Sequence, residues 1–129
     1  MFANNGEVSV KLLRGTTQGR AYYELLEEVV WRGPIREVRV PVGFKTDFAS
    51  VPRFFWRIVP PAGPHGAAAV IHDYLYVYQG EWTRRAVDKL FYKCLASLGV
   101  PPWKRRLMYI GVRLGGWIGW NRNKQSRAG

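Results

Sequence analysis

Apolar and polar positions alternate over the first third of the chain and then change to a helical period. Glu7 to Leu13 alternates loosely and ends at Arg14-Gly15, which predicts a short strand and a turn. Tyr22 to Trp31 is rich in aromatic and β-branched residues, yet Glu24 to Glu28 also suits a helix. The turn chemistry of Arg32-Gly33-Pro34, followed by the clean alternation of Arg36 to Val40, favours a strand and hence a hairpin with one solvated face.

Beyond the hairpin, Gly43 to Arg53 reads as a loop entering a helix. Ser50 is placed as an N-cap and Pro52 in the first turn. That helix is expected to reach about Ile58, where Pro60, Pro61, Gly63 and Pro64 break it. A second helix is predicted from about Gly66 to Tyr78, with an apolar stripe of Ala68, Ile71, Leu75 and Tyr78. Gly80 ends it. Thr83 caps a third helix, Arg84 to Leu98, with Val87, Leu90, Phe91, Cys94 and Leu98 inward. Gly99 stops that helix, and Pro101-Pro102 starts a fourth that runs to about Trp120. Asn121 to Gly129 reads as a polar, basic, mobile tail. Strands first and helices after make an α+β fold: an N-terminal antiparallel hairpin or small sheet followed by about four helices, in a single domain over residues 1–129.

Charge alters this picture more than composition does. The chain has 129 residues, 47% hydrophobic and 15% aromatic, a globular composition. Its net charge of +11 is unevenly spread. All 9 acids lie at or before Asp88, and the basic stretch beyond it predicts an anionic partner: a phospholipid surface, nucleic acid or an acidic protein. Cys94 is the single cysteine, so an intramolecular disulfide and a cysteine-rich zinc site are both excluded. No 18-residue uncharged apolar run predicts a transmembrane span, and the first residues have no secretory-signal character.

The sharpest candidate chemistry is His72-Asp73. Tyr76 lies one turn after His72 on the same helix face. The short turn around Gly80-Glu81-Trp82 makes the second and third helices antiparallel neighbours. His72 precedes Gly80 by as many residues as Asp88 follows it, so the two meet at one height. A carboxylate that fixes the histidine tautomer leaves the other ring nitrogen as a general base. The same pair also works as a plain helix clamp, and Arg84, Arg85 and Lys89 offer Asp73 and Asp88 simple ion pairs.

Asp47, Ser50 and Arg53 form a second cluster. Asp47 sits between Phe44 and Phe48 and needs a partner if buried, which Arg53 or backbone amides supply; an Asx turn is the simpler role. Ser50 lacks a Gly-x-Ser-x-Gly elbow. For a metal, His65, His72, Asp73 and Asp47 are the available ligands, and the oxygen donors suit calcium or another divalent ion. No His-Glu-x-x-His or Cys-x-x-Cys is present.

The fourth predicted helix carries Gly111, Gly115 and Gly119 at four-residue steps, a small-residue stripe that admits close packing against a partner or a second copy. Lys104, Arg105 and Arg106 with Trp103, Trp117 and Trp120 suggest an interfacial or nucleic-acid-binding surface. Basic residues at a helix start oppose the dipole, which hints at another use for them.

Three stretches together resemble a domain-of-unknown-function family of small proteins from tailed phages and prophages. These are Gly43-Phe44-x-Thr46-Asp47-Phe48-Ala49-Ser50-Val51-Pro52-Arg53, then Ala67 to Tyr76, then Arg85-x-x-Asp88-x-x-Phe91. Locally, His72-Asp73-x-x-Tyr76 followed by Arg85, Asp88 and Phe91 is similar to the active-site helices of phospholipase A2. That similarity implies His72 as the base that activates water, Asp73 as a calcium ligand, and Tyr76 and Asp88 as supports. The disulfides and the glycine-rich calcium loop of that family have no counterpart here.

Two functions follow as expectations. One is a phage-encoded, virion-associated or late-expressed hydrolase acting on a lipid or cell-envelope ester or amide, in the virion or host cytoplasm. The other is a non-catalytic tail or baseplate assembly protein that binds other phage structural proteins or itself, with His72 and Asp88 as a clamp. Nonspecific nucleic-acid binding through Lys104 to Lys124 is a further alternative.

Overall fold

The computed structural model describes residues 1–3, 7–17, 20–34, 36–46 and 66–128. The predicted helix from Ser50 to Ile58 and its proline break lie outside these residues, as do Asp47, Ser50, Arg53 and His65. The described chain is α+β, with five strands followed by three helices.

Strands β1 (Val10–Thr17), β2 (Arg20–Leu25) and β5 (Lys45–Thr46) form an antiparallel sheet in the order β1-β2-β5. Strands β3 (Val29–Arg32) and β4 (Glu37–Val40) form the predicted hairpin, with Val29 opposite Val40 and Arg32 opposite Glu37. Val38 and Val40 are buried while Glu37 and Arg39 are exposed, as the alternation requires. The Tyr22–Trp31 stretch is extended, but it divides at Leu26-Glu27-Glu28 into β2 and β3, which belong to different sheets. The first strand runs on through Arg14-Gly15 to Thr17, where the sequence suggested a turn.

Gly43 adopts a φ of 90°, open to glycine at little cost, and its N–H donates to the Leu25 carbonyl at 2.9 Å. This turn folds the chain back so that Lys45 and Thr46 pair with Glu24 and Tyr23. It therefore delivers Thr46 to the side of the first helix.

Helix α1 (Gly66–Tyr78) is the centre of the fold and packs against β3, β4, β5 and both other helices. Ala67 to Ile71 are all buried, because a helix covered on every side needs apolar residues around its whole circumference. Tyr78, assigned to the inward stripe from its spacing, is instead half-exposed at the end of that helix. Helix α1 ends on two successive left-handed residues, Gln79 (φ 55°) and Gly80 (φ 58°). Buried Gln79 donates through Nε2 to the Tyr76 carbonyl at 3.1 Å and to the Trp120 carbonyl at 2.8 Å, tying the end of α1 to the third helix.

Helix α2 (Arg84–Ser97) starts as predicted. Thr83 is extended, and its Oγ1 accepts from the Ala86 N–H at 3.1 Å. Val87, Leu90, Phe91 and Cys94 are buried, and Leu98 is partly so. Helix α3 (Pro102–Ala128) does not stop near Trp120 but continues through the stretch expected to be a tail. No proline or glycine interrupts residues 120–128, and arginine, lysine, glutamine and alanine there are good helix formers. Among the described residues, no helix is long and apolar enough to cross a membrane.

Removing the Thr83 cap should lower stability by about 1 kcal/mol, whereas Thr83→Ser should be nearly neutral. Urea denaturation of Thr83→Ala and Thr83→Ser checks this; equal losses would show that the hydroxyl is not the capping group.

Candidate functional site

The antiparallel pairing of α1 and α2 places His72 against Asp88, with His72 Nε2 at 2.7 Å from Asp88 Oδ1. The phenol of Tyr76, one turn along α1, donates to the same Oδ1 at 2.7 Å. The other carboxylate oxygen, Oδ2, accepts from Arg113 Nη1 of α3 at 2.9 Å and lies 3.5 Å from Arg84 Nη1. Arg84 also donates to the Val112 and Arg113 carbonyls at 3.3 and 3.2 Å. One carboxylate thus joins all three helices.

His72 and Asp88 are fully buried, both at 0% exposure. The imidazole lies between Tyr76 and Phe91, at centroid distances of 4.2 and 4.8 Å. Burial pushes the His72 pKa below its ordinary 6.5, outweighing the hydrogen bond and charge of Asp88, so the ring is neutral at neutral pH. Burial acts to raise the pKa of Asp88, but the hydrogen bonds from His72, Tyr76 and Arg113 together hold it below the usual carboxylate value. An ionised carboxylate only accepts, so the ring proton is assigned to Nε2. His72 Nδ1 keeps its lone pair, and it is buried with no hydrogen-bond partner among the described residues.

Asp73 is engaged by the sheet. It is half-buried on α1, and its Oδ2 accepts from the hydroxyl of buried Thr46 on β5. Among the described residues, no three His, Cys, Asp or Glu side chains gather where they could hold a metal. Asp73 is the calcium ligand that the resemblance implies, and it is in contact with the Thr46 hydroxyl.

The expected interface residues divide between two sides of α3. Gly111 is buried, Gly115 is exposed, and Gly119 lies further along the helix. Arg105 turns back, donating to the Val100 carbonyl at 3.0 Å and stacking over Tyr92 at 5.2 Å, whereas Arg106 is exposed. Lys104 lies over Trp103, with Nζ 5.6 Å from the ring centroid. Cys94 is buried, and burial raises its thiol pKa well above the ordinary value, so it acts as an inert core residue.

Three contributors were not apparent from spacing. Arg113 completes the grip on Asp88, Thr46 holds Asp73, and Gly116 makes room for the phenol. A Cβ at Gly116 would lie 2.5 Å from Tyr76 Oη and 3.2 Å from Cε2 and Cζ. No glycine periodicity singles out this position, since the four-residue steps pass through Gly115 instead. A separate cleft of about 410 Å³ opens between the β3–β4 turn and α2, lined in part by Trp31, Arg36, Trp82, Lys89 and Lys93, and includes no member of the His72 network.

A family profile for proteins of unknown function, DUF1353, matches residues 23–112. The chain belongs to this family. The matched DUF1353 region contains Thr46, His72, Asp73, Tyr76, Arg84 and Asp88, and ends immediately before Arg113. Over 75 residues the chain is 39% identical to the uncharacterized protein y4jT of Sinorhizobium fredii (strain NBRC 101917 / NGR234). That match spans 57% of this chain but only 22% of the relative's length. No solved structure matches.

Gly116→Ala should cost about 1–3 kcal/mol, since its methyl group displaces the Tyr76 hydroxyl from Asp88. Adding Tyr76→Phe should recover part of that cost. A double-mutant cycle on denaturation midpoints measures the coupling; strict additivity would rule out the contact.

The buried neutral imidazole also sets a pH dependence. On unfolding, His72 returns to a pKa near 6.5, so below that pH the unfolded chain binds a proton that the folded chain excludes. The stability contributed by His72 is complete above pH 6.5 and declines below it, by at most about 1.4 kcal/mol per pH unit. Asp88 adds a second loss as pH falls below 3.8 and through its lowered folded value. His72→Gln should flatten the first decline and leave the second. Identical pH profiles for the two proteins would contradict the enclosed neutral ring.

Proposed function

We propose that this DUF1353 protein is a hydrolase in which His72 activates water for attack on a lipid or cell-envelope ester or amide. The observation that carries this reading is the state of the imidazole. Nε2–H is fixed on Asp88, and Nδ1 presents a buried lone pair with no partner among the described residues. A purely structural histidine gains nothing from such a nitrogen, because leaving a buried acceptor unsatisfied costs about 1–3 kcal/mol. In the reaction, Nδ1 takes a proton from water as the water oxygen bonds to the carbonyl carbon. Asp88 stabilises the imidazolium so formed, and the proton passes to the leaving oxygen or nitrogen as its bond to carbon breaks. Tyr76, Arg84 and Arg113 position Asp88. The similarity of His72-Asp73-x-x-Tyr76 and Asp88 to the phospholipase A2 helices supports an ester substrate. The Gly43–Arg53 and Ala67–Tyr76 motifs support a phage-encoded protein that is virion-associated or expressed late.

A second reading rests on the enclosure of the same ring. With His72 and Asp88 at 0% exposure and two arginines on the carboxylate, the network equally suits a clamp in a non-catalytic phage assembly protein. Hydrolysis requires the scissile bond to reach a ring that is closed in this structure.

His72→Gln separates the two readings. For a hydrolase, turnover of short-chain phospholipids and acyl esters should fall by about 10²–10⁴-fold while circular dichroism stays native. A wild-type protein with no more turnover than His72→Gln across this panel, together with a lowered melting temperature of the variant, would leave the clamp.

A further inference from the structure

Helix α3 is apolar on two opposite sides. Its inner side buries Met108, Val112 and Gly116 against the other helices. Its outer side carries Trp103, Ile110, Leu114, Trp117 and Ile118, each at least half exposed, with Leu114 at 74%. At helical spacing these five fall within an arc of about 100° and form a stripe about 22 Å long. Lys104 and Arg106 flank it, and no acidic residue follows Asp88 anywhere in the sequence.

We propose that this outer face of α3 docks on the surface of an anionic phospholipid bilayer. Two features select that occupant. The stripe needs an apolar medium, and the cations at its edges need anions at the border of that medium. The headgroup and acyl boundary of an anionic leaflet supplies both. Trp103 and Trp117 bracket the stripe, and indole rings favour a setting that is apolar on one side and wet on the other. Lys104, already folded over Trp103, has the reach to place its ammonium among phosphates while its stem stays on the ring. A second copy fits less well, because it sets these cations against their own kind on a chain of net charge +11. Nucleic acid would satisfy the cations but leave Ile110, Leu114 and Ile118 without a partner, since aliphatic side chains offer bases no stacking plane. The proposal stands on α3 alone and does not depend on His72 being catalytic.

The full chain is tested by co-sedimentation with vesicles of phosphatidylcholine alone and of phosphatidylcholine mixed with phosphatidylglycerol, with tryptophan emission followed in parallel. Binding to the anionic vesicles, a blue shift and quenching by brominated acyl chains are expected. Leu114→Glu should weaken partitioning by about tenfold or more while its circular dichroism and melting remain native. Leu114→Ser serves as a second, uncharged variant expected to act in the same direction. No binding to anionic vesicles would overturn the proposal, and so would binding that both Leu114 variants leave unchanged. Salt-sensitive binding to duplex DNA, insensitive to both variants and stronger than vesicle binding, would assign the surface to nucleic acid instead. Dimerisation that Leu114→Glu abolishes, without lipid binding, would assign it to a second copy.

Discussion

The Asp88 carboxylate is the point from which the helical half of this protein is set. Desolvating an isolated carboxylate is prohibitive, and this one is tolerated because α1 supplies two neutral donors while α2 and α3 supply two cations. Each contact fixes something beyond the charge. His72 and Tyr76 set the height of α1 against α2, and Arg113 sets the rotation of α3. Arg84, held near Asp88, reaches across to the backbone carbonyls of α3. Without the carboxylate, Arg84 and Arg113 would face each other unneutralised in a largely buried space. The cost of losing Asp88 therefore exceeds the sum of its hydrogen bonds and includes repulsion between its former partners.

The part of this arrangement legible in the sequence is the part that depends on local geometry. A short turn with equal offsets on either side fixes which residues of an antiparallel helix pair are level, and His72 meets Asp88 as that rule requires. Thr83 as a cap and Gly66 to Tyr78 as a helix follow from local chemistry as well. Arg113 and Gly116 were hidden because their roles depend on the rotation of α3 about its own axis. That rotation was not readable: α3 is apolar on two opposite sides, so periodicity could not tell which side turns inward. The glycine steps mark a line that passes from buried Gly111 to exposed Gly115, while the required glycine, Gly116, lies one residue away. Thr46 was hidden for a different reason. Its partner Asp73 is distant in sequence, and the two meet only because Gly43 turns the chain back onto β2.

The family match and the Asp88 network overlap only in part. The matched region contains three of the four side chains that approach Asp88, and it stops before the fourth. The α1–α2 pair therefore supplies the carboxylate, His72, Tyr76 and Arg84, while α3 from residue 113 onward adds Arg113, the glycine that seats Tyr76, and the outward Trp117 and Ile118. One helix closes the network on its inner side and exposes an apolar stripe on its outer side. These are separate demands, because substitutions on the outer side do not touch the residues that hold Asp88.

For the chemistry of His72, enclosure has two consequences that oppose each other. It gives Nδ1 a defined lone pair by keeping the ring neutral and its tautomer fixed. It also weakens that lone pair as a base, because the desolvation that lowers the imidazole pKa penalises the protonated state a general base must pass through. The hydrogen bond and charge of Asp88 offset this only in part. Water reaching Nδ1 would reduce the desolvation and raise the basicity of the ring at the same moment that it supplied the reactant. Access and proton affinity are thus coupled at this site: the enclosed ring is a weak base, and hydration would raise its proton affinity.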